Sequence, residues 1–194
     1  ESEICIFCHT PHSASSQAPL WNRYESGQTY IPYTSTTLKA LTGQPTGASK
    51  LCLSCHDGTV ALGMVRSRSE TIPFSQPIGR EENLGTDLSD DHPVSFRYDS
   101  SLAFSDEQLK DPTALTGAIR PDKDSQLQCT ACHNPHDNQY GYFLRVNAIR
   151  GNLCLSCHDM DGWNSSIHNN STASWNKASV NPWPHTPWVN VADN

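Results

Sequence analysis

The chain spells the same five-residue unit four times: Cys5-Ile6-Phe7-Cys8-His9, Cys52-Leu53-Ser54-Cys55-His56, Cys129-Thr130-Ala131-Cys132-His133 and Cys154-Leu155-Ser156-Cys157-His158. These pentads use all 8 cysteines. No other feature constrains the fold as strongly, because whatever takes two sulfurs and an imidazole in that order must lie against the backbone at four places. Accident is a poor explanation. With 9 histidines in 194 residues, a His after every Cys-x-x-Cys has odds on the order of 10⁻⁵.

Three chemistries use paired cysteines. Disulfides suit an even count in an exported chain, but they leave the following histidines unexplained. Zinc is the stronger rival, since 21 residues separate Cys132 from Cys154, close to zinc-ribbon spacing. Four thiolates would fill a tetrahedral site, however, and leave His133 and His158 without a purpose. Covalent haem needs two thiols one helical turn apart for its thioether links, and an adjoining imidazole for the iron. The pentads therefore read as four c-type haem sites. Cys5, Cys8, Cys52, Cys55, Cys129, Cys132, Cys154 and Cys157 carry the links, and His9, His56, His133 and His158 are the proximal ligands.

Composition fits this reading. Only 36% of the residues are hydrophobic, and runs such as "TGQPTGASK" and "NPWPHTPW" are turn chemistry. The bound porphyrins would supply the missing core. The expected fold is mostly coil, with a few short α-helices wrapped around covalently bound haems and little or no β-sheet. "STTLKALTG" reads as one short helix closed by Gly43, and "SDEQLKD" as another capped by Ser105. A formal charge of −7 argues against a nucleic-acid partner. No stretch has the apolar length of a transmembrane segment. No signal peptide precedes Cys5, so the chain reads as mature or as cut from a longer precursor, with "VNVADN" as a cut end.

The sixth iron ligand decides what such haems do. Five histidines remain, namely His12, His92, His136, His168 and His185, against two methionines, Met64 and Met160. That balance favours His/His ligation at every iron. His12 and His136 share the frame Cys-His-x-Pro-His, too short to reach round the haem just attached, so each would ligate a neighbouring one. His92 follows in "SDDHPVSF". His168 is preferred for the fourth place because it lies nearer its pentad, with His185 the alternative.

The layout repeats internally. A pentad with Pro-His, a hydrophobic segment with an arginine, and then "LCLSCHD" occur twice, predicting two-haem modules at 1–115, with a long loop carrying His92, and at 116–194, with a Trp/Pro-rich tail. Arg23 and Arg145 recur in register, either as solvated side chains or as partners of haem propionates. Trp163, Trp175, Trp183 and Trp188 crowd the tail and are expected to cover haem faces, or else to form a subunit contact. Asp87, Asp90 and Asp91 read as a solvated loop, with calcium a minor alternative.

"CHTPHS", "APLWNR", "LCLSCHDGTVA", "LSDDHPVSF", "CTACHNPHD" and "FLRV…NLCLSCHD", in this order, resemble the OmcE-type tetrahaem outer-surface cytochromes and the larger multihaem cytochromes with doubled haem motifs. The resemblance implies four bis-His haems in an exported protein that reaches the cell surface through the periplasm. It further implies polymerisation into an extracellular filament, in which His12 would ligate a haem of the next subunit. The function expected is outer-sphere electron transfer to other redox proteins or extracellular acceptors, without enzymatic turnover. A soluble periplasmic tetrahaem carrier is the alternative, and a multihaem oxidoreductase a more distant one.

Overall fold

The computed structural model describes residues 4–16, 18–74, 79 and 82–170. Regular structure among them is scarce. The helices are α1 (Gly47–His56), α2 (Ser100–Asp106), α3 (Cys129–Cys132), α4 (Asn152–Leu155) and α5 (Ile167–Asn170), joined by 3-10 turns at Ile4–Phe7, Pro112–Ala114, Ile149–Gly151 and Trp163–Ser165. One two-stranded sheet pairs β1 (Phe96–Arg97) with β2 (Gln126–Leu127). The fold is mostly coil with short helices, as the composition predicts.

Coil on this scale must satisfy its backbone without ladders. Short acidic and amide side chains do much of that work. Asp57, Asp87, Asp99, Asp111, Asp122, Asn134 and Asp137 each accept the N–H two residues on, at Thr59, Ser89, Ser101, Thr113, Asp124, His136 and Gln139. Each such turn offers the backbone a local alternative to helix.

Two helix expectations need correction. Residues 35–43 form no helix. Ser35 instead takes the Leu38 N–H on its hydroxyl, Thr42 donates to the Tyr33 carbonyl, and Leu41 is 92% exposed. A helix this short needs its apolar face packed against a core, and Leu41, which with Leu38 would form that face, is left in solvent. The second helix lies earlier than expected. Asp99 is its N-cap, accepting from Ser101 and Leu102 N–H, while Ser105 sits in the last turn and donates to Leu102 O. Asp99 outcompetes Ser105 as a cap because its carboxylate reaches two donors at once.

The chain divides into two compact units, Glu1–Phe96 and Arg97–Asn194. In the first, Tyr30, Leu53 and Leu88 form a small buried cluster, and Asn22 and Arg23 are wholly buried. In the second, Tyr98, Leu102, Ala103, Ile119, Leu127 and Ala131 are buried. Gly151 also belongs there, at φ +70°, where an added Cβ would lie 2.7 Å from the Trp163 ring. No helix among the described residues is long and apolar enough to cross a membrane.

Candidate haem sites

Each pentad folds as a single turn. The N–H of His9, His133 and His158 bonds the carbonyl of the first cysteine, Cys5, Cys129 and Cys154, at 2.7, 3.0 and 2.9 Å. The second pentad forms the end of α1. In every case the two cysteines lie one turn apart, with the imidazole next in line.

A turn that short leaves its last carbonyls without intrahelical donors. Three pentads solve this in one way. A returning segment bonds the second-cysteine carbonyl through its backbone: Asn22 N–H to Cys8 O at 2.8 Å, Arg145 N–H to Cys132 O at 2.9 Å and Lys110 N–H to Cys157 O at 2.7 Å. The same three side chains then reach the carbonyl after the first cysteine. Asn22 Nδ2 donates to Ile6 O at 2.6 Å, Arg145 Nε to Thr130 O at 2.7 Å and Lys110 Nζ to Leu155 O. In α1 the helix runs on far enough for Asp57 N–H to satisfy Leu53 O. Asn22 and Lys110 went unnoticed in the sequence, because a donor 14 or 47 residues away carries no spacing signal.

This geometry corrects the register of the repeat. Trp21 pairs with His9 and Leu144 with His133, so Arg145 stands where Asn22 stands, and Val146 takes the place of Arg23. The returning segment comes back one residue sooner in the second unit, and in extended chain one residue moves a side chain to the opposite face. Arg23 therefore does not reach outward as a propionate partner would. Its guanidinium donates inward to the carbonyls of Leu62, Met64, Ser54 and Ala61. Arg145 is half-buried and lines a cavity of about 300 Å³ with Arg120 and Asp122.

Two of the proximal imidazoles are oriented from behind. His56 Nδ1 lies 2.7 Å from Glu82 O, and His133 Nδ1 lies 2.8 Å from Tyr142 O. A carbonyl only accepts, so Nδ1 carries the proton and the Nε2 lone pair is left for a metal. Holding Tyr142 O there has a backbone cost, because Gly141, Tyr142 and Phe143 are consecutively left-handed at φ 77°, 50° and 55°. Non-glycine residues in that region are uncommon and strained. Leu20 and Glu107 adopt the same φ sign shortly before Asn22 and Lys110.

The thiols complete the set. Burial pushes up the pKa of the second cysteine in every pentad, Cys8, Cys55, Cys132 and Cys157, with Cys132 pushed up to about 11. Cys8 also feels Cys55, and Cys132 feels Cys157, so the second thiols of each unit's two pentads lie near one another. Two thiols followed by an imidazole fit covalent haem, in which each sulfur adds to a vinyl group. No group of three or more His, Cys, Asp or Glu among the described residues is placed to hold a metal ion. Asp87, Asp90 and Asp91 form no such group either. Leu20, Tyr142 and Phe143, beside the first and third pentads, are large apolar side chains left exposed, as a surface awaiting a flat apolar group would be.

The proposed distal histidines are placed as follows. His12 and His136 are exposed, and the N–H of each is held by the residue between the two histidines of its frame, Thr10 Oγ1 at 3.3 Å and Asn134 Oδ1 at 3.2 Å. His92 is exposed, with Nδ1 2.9 Å from Pro93 O. His168 lies in α5. His185, Trp175, Trp183 and Trp188 fall outside the described residues, while the Trp163 ring packs on Gly151. Asp57 was also missed: it is buried behind His56, accepting from Tyr30 Oη at 2.6 Å and from Thr59.

Paired turns that each offer two thiols and an adjoining imidazole are the attachment chemistry of c-type haem. Residues 123–162, which hold the third and fourth pentads, match the family of the doubled CXXCH motif. Comparison with curated proteins gives no match. The matched pair is the compact one, with 21 residues between Cys132 and Cys154, whereas 43 separate Cys8 from Cys52.

Proposed function

We propose that the chain binds four c-type haems, one at each pentad, and passes electrons between them without making or breaking a bond in any substrate. The observation that carries this is the recurrence of one turn geometry, first-cysteine carbonyl to histidine N–H, at pentads in both units. A bound haem supplies a one-electron ferric/ferrous couple. The chain's own residues hold the thiols, fix Nδ1 of the proximal imidazole and shield the attachment turn from water. His12, His92, His136 and His168 close the sixth positions, and with every iron closed the protein is a carrier, not an enzyme. Intact-mass measurement of protein made in a cytochrome-maturing host should show four added haems, and a ferrous spectrum unaltered by carbon monoxide. Fewer haems, or an open iron, would sink the reading. His92→Ala should then open one iron to carbon monoxide.

Within this reading, the resemblance of residues 3 to about 160 to outer-surface cytochromes supports export and self-assembly into an extracellular filament, with His12 donated between subunits. Electron microscopy of the haem-loaded protein decides the point. Filaments with an unbroken haem chain are expected, and discrete particles at high concentration would leave a soluble periplasmic carrier.

A further inference from the structure

Asn138 closes both ends of the turn that holds the His133 imidazole. Its backbone carbonyl accepts the Gly141 N–H at 3.2 Å, and its side-chain Oδ1 accepts the Phe143 N–H at 2.8 Å. Between those two donors lies Tyr142, whose carbonyl is 2.8 Å from His133 Nδ1. The turn is pinned at its base as well, where Phe143 O accepts from Asn134 N–H at 2.7 Å and Gly141 O from Leu144 N–H at 2.9 Å.

The Phe143 N–H and the Tyr142 carbonyl belong to one peptide group. That group is a rigid plane, and in the trans form its N–H and C=O point in opposite directions. Gripping the N–H at one edge therefore aims the oxygen at the other. The grip has strain to oppose, since Gly141, Tyr142 and Phe143 are left-handed in succession, at φ 77°, 50° and 55°. Residues with a Cβ visit that region singly, and aromatic residues prefer extended backbone. Polypeptide packing holds the turn only weakly, because Tyr142 and Phe143 are 54% and 46% exposed. Return to extended backbone would rotate this peptide and carry the Tyr142 oxygen off the imidazole.

We propose that Asn138 is a positioning residue for the haem on Cys129/Cys132: through the peptide between Tyr142 and Phe143 it orients the His133 ring and strengthens that ring's donation to iron. The inference rests on the haem reading above. A carbonyl that takes the Nδ1 proton makes Nε2 the more basic ligand, and a more basic ligand favours ferric over ferrous iron. Asn138 thus acts on the iron through its amide oxygen, without contact to the haem and without a charge of its own.

The test reads the ring N–H of His133 by NMR in the full haem-loaded chain, with His56 as the internal control because its Nδ1 is held by Glu82 O. Asn138→Ala should quicken solvent exchange of the His133 ring proton about tenfold and leave that of His56 unchanged. Asn138→Asp keeps an acceptor oxygen in place and should restore the slow exchange. In Asn138→Ala, which is as neutral as the parent, the haem on Cys129/Cys132 should also become easier to reduce. Exchange and potential both unchanged in Asn138→Ala would show that haem packing or the rest of the loop fixes the turn, and would overturn the proposal. Equal loss of protection in the Ala and Asp variants would assign Asn138 to local folding and overturn it too. If Asn138→Ala fails to load the third pentad, the unaltered chain decides, and a His133 ring proton that exchanges there as fast as a free imidazole overturns the proposal. A chain that takes up no haem refutes the functional reading itself, whereas four loaded haems with exchange indifferent to Asn138 refute only this inference.

Discussion

Asn22 and Arg145 do the same job in the two units, yet one is sealed inside and the other is half open to water. Each bonds the second-cysteine carbonyl through its backbone and the carbonyl after the first cysteine through its side chain. In the first unit the position is extended into a network. Asn22 also exchanges bonds with Ser67, as acceptor from its N–H and donor to its hydroxyl, and its own carbonyl takes Arg66 N–H. The second unit uses cations on long stems, Arg145 and Lys110, with the Lys110 carbonyl accepting from Tyr98 Oη. The difference teaches that an attachment turn requires a donor at a fixed place and tolerates several donor chemistries. What varies is how much of the unit's stability is vested in that donor.

Denaturant unfolding of the haem-loaded chain sharpens this contrast. Asn22→Ala removes a wholly buried side chain and leaves both Ile6 O and the Ser67 N–H without their partner, and should cost about 3 kcal/mol, seen in the first-unit transition. Gly151→Ala is the largest expected loss in the second unit, about 2 kcal/mol, because it combines a positive φ with a 2.7 Å approach to Trp163. Arg145→Ala should cost only about 1 kcal/mol, since water can reach Thr130 O in its place. If Arg145→Ala cost as much as Asn22→Ala, the distinction between a sealed and an open donor would fail.

The smallest effect is a pH dependence confined to α2. The Asp99 carboxyl is held below its usual value by a hydrogen bond from Arg97 and by the N–H groups of Leu102 and Ser101. Its folded pKa lies under its unfolded one, so the ionised cap contributes stability at neutral pH. That contribution falls away as pH drops below about 4 and through the folded value. Amide exchange at residues 101–103 should therefore quicken in acid, and Asp99→Asn should remove that pH dependence. Unchanged acid sensitivity in the variant would place its source elsewhere.

The attachment chemistry was legible because haem fixes a local spacing, and local spacing is what sequence displays best. Coil-rich architecture was legible for a related reason, since Asp, Asn, Ser, Pro and Gly make turns through their own covalent structure. The rest depends on distant partners. Lys110 reaches a carbonyl 45 residues later, and nothing in "QLKDPT" announces it. The helix over 100–106 was found late by several residues, because Ser105 and Asp99 are both good caps and only tertiary contact chooses between them. The register of the repeat was misread since both returning segments contain an arginine. Counting back from the histidine, and not matching letters, gives the right pairing.

Leu20, Glu107 and Phe143 each turn left-handed just before the residue that holds an attachment turn. In terms of sequence drift, these positions are ratchets. Glycine or asparagine could enter at little steric cost, while valine, isoleucine or threonine would push the following donor out of reach. Related chains can therefore diverge freely in the loops between pentads and still be barred from β-branched residues at these three places.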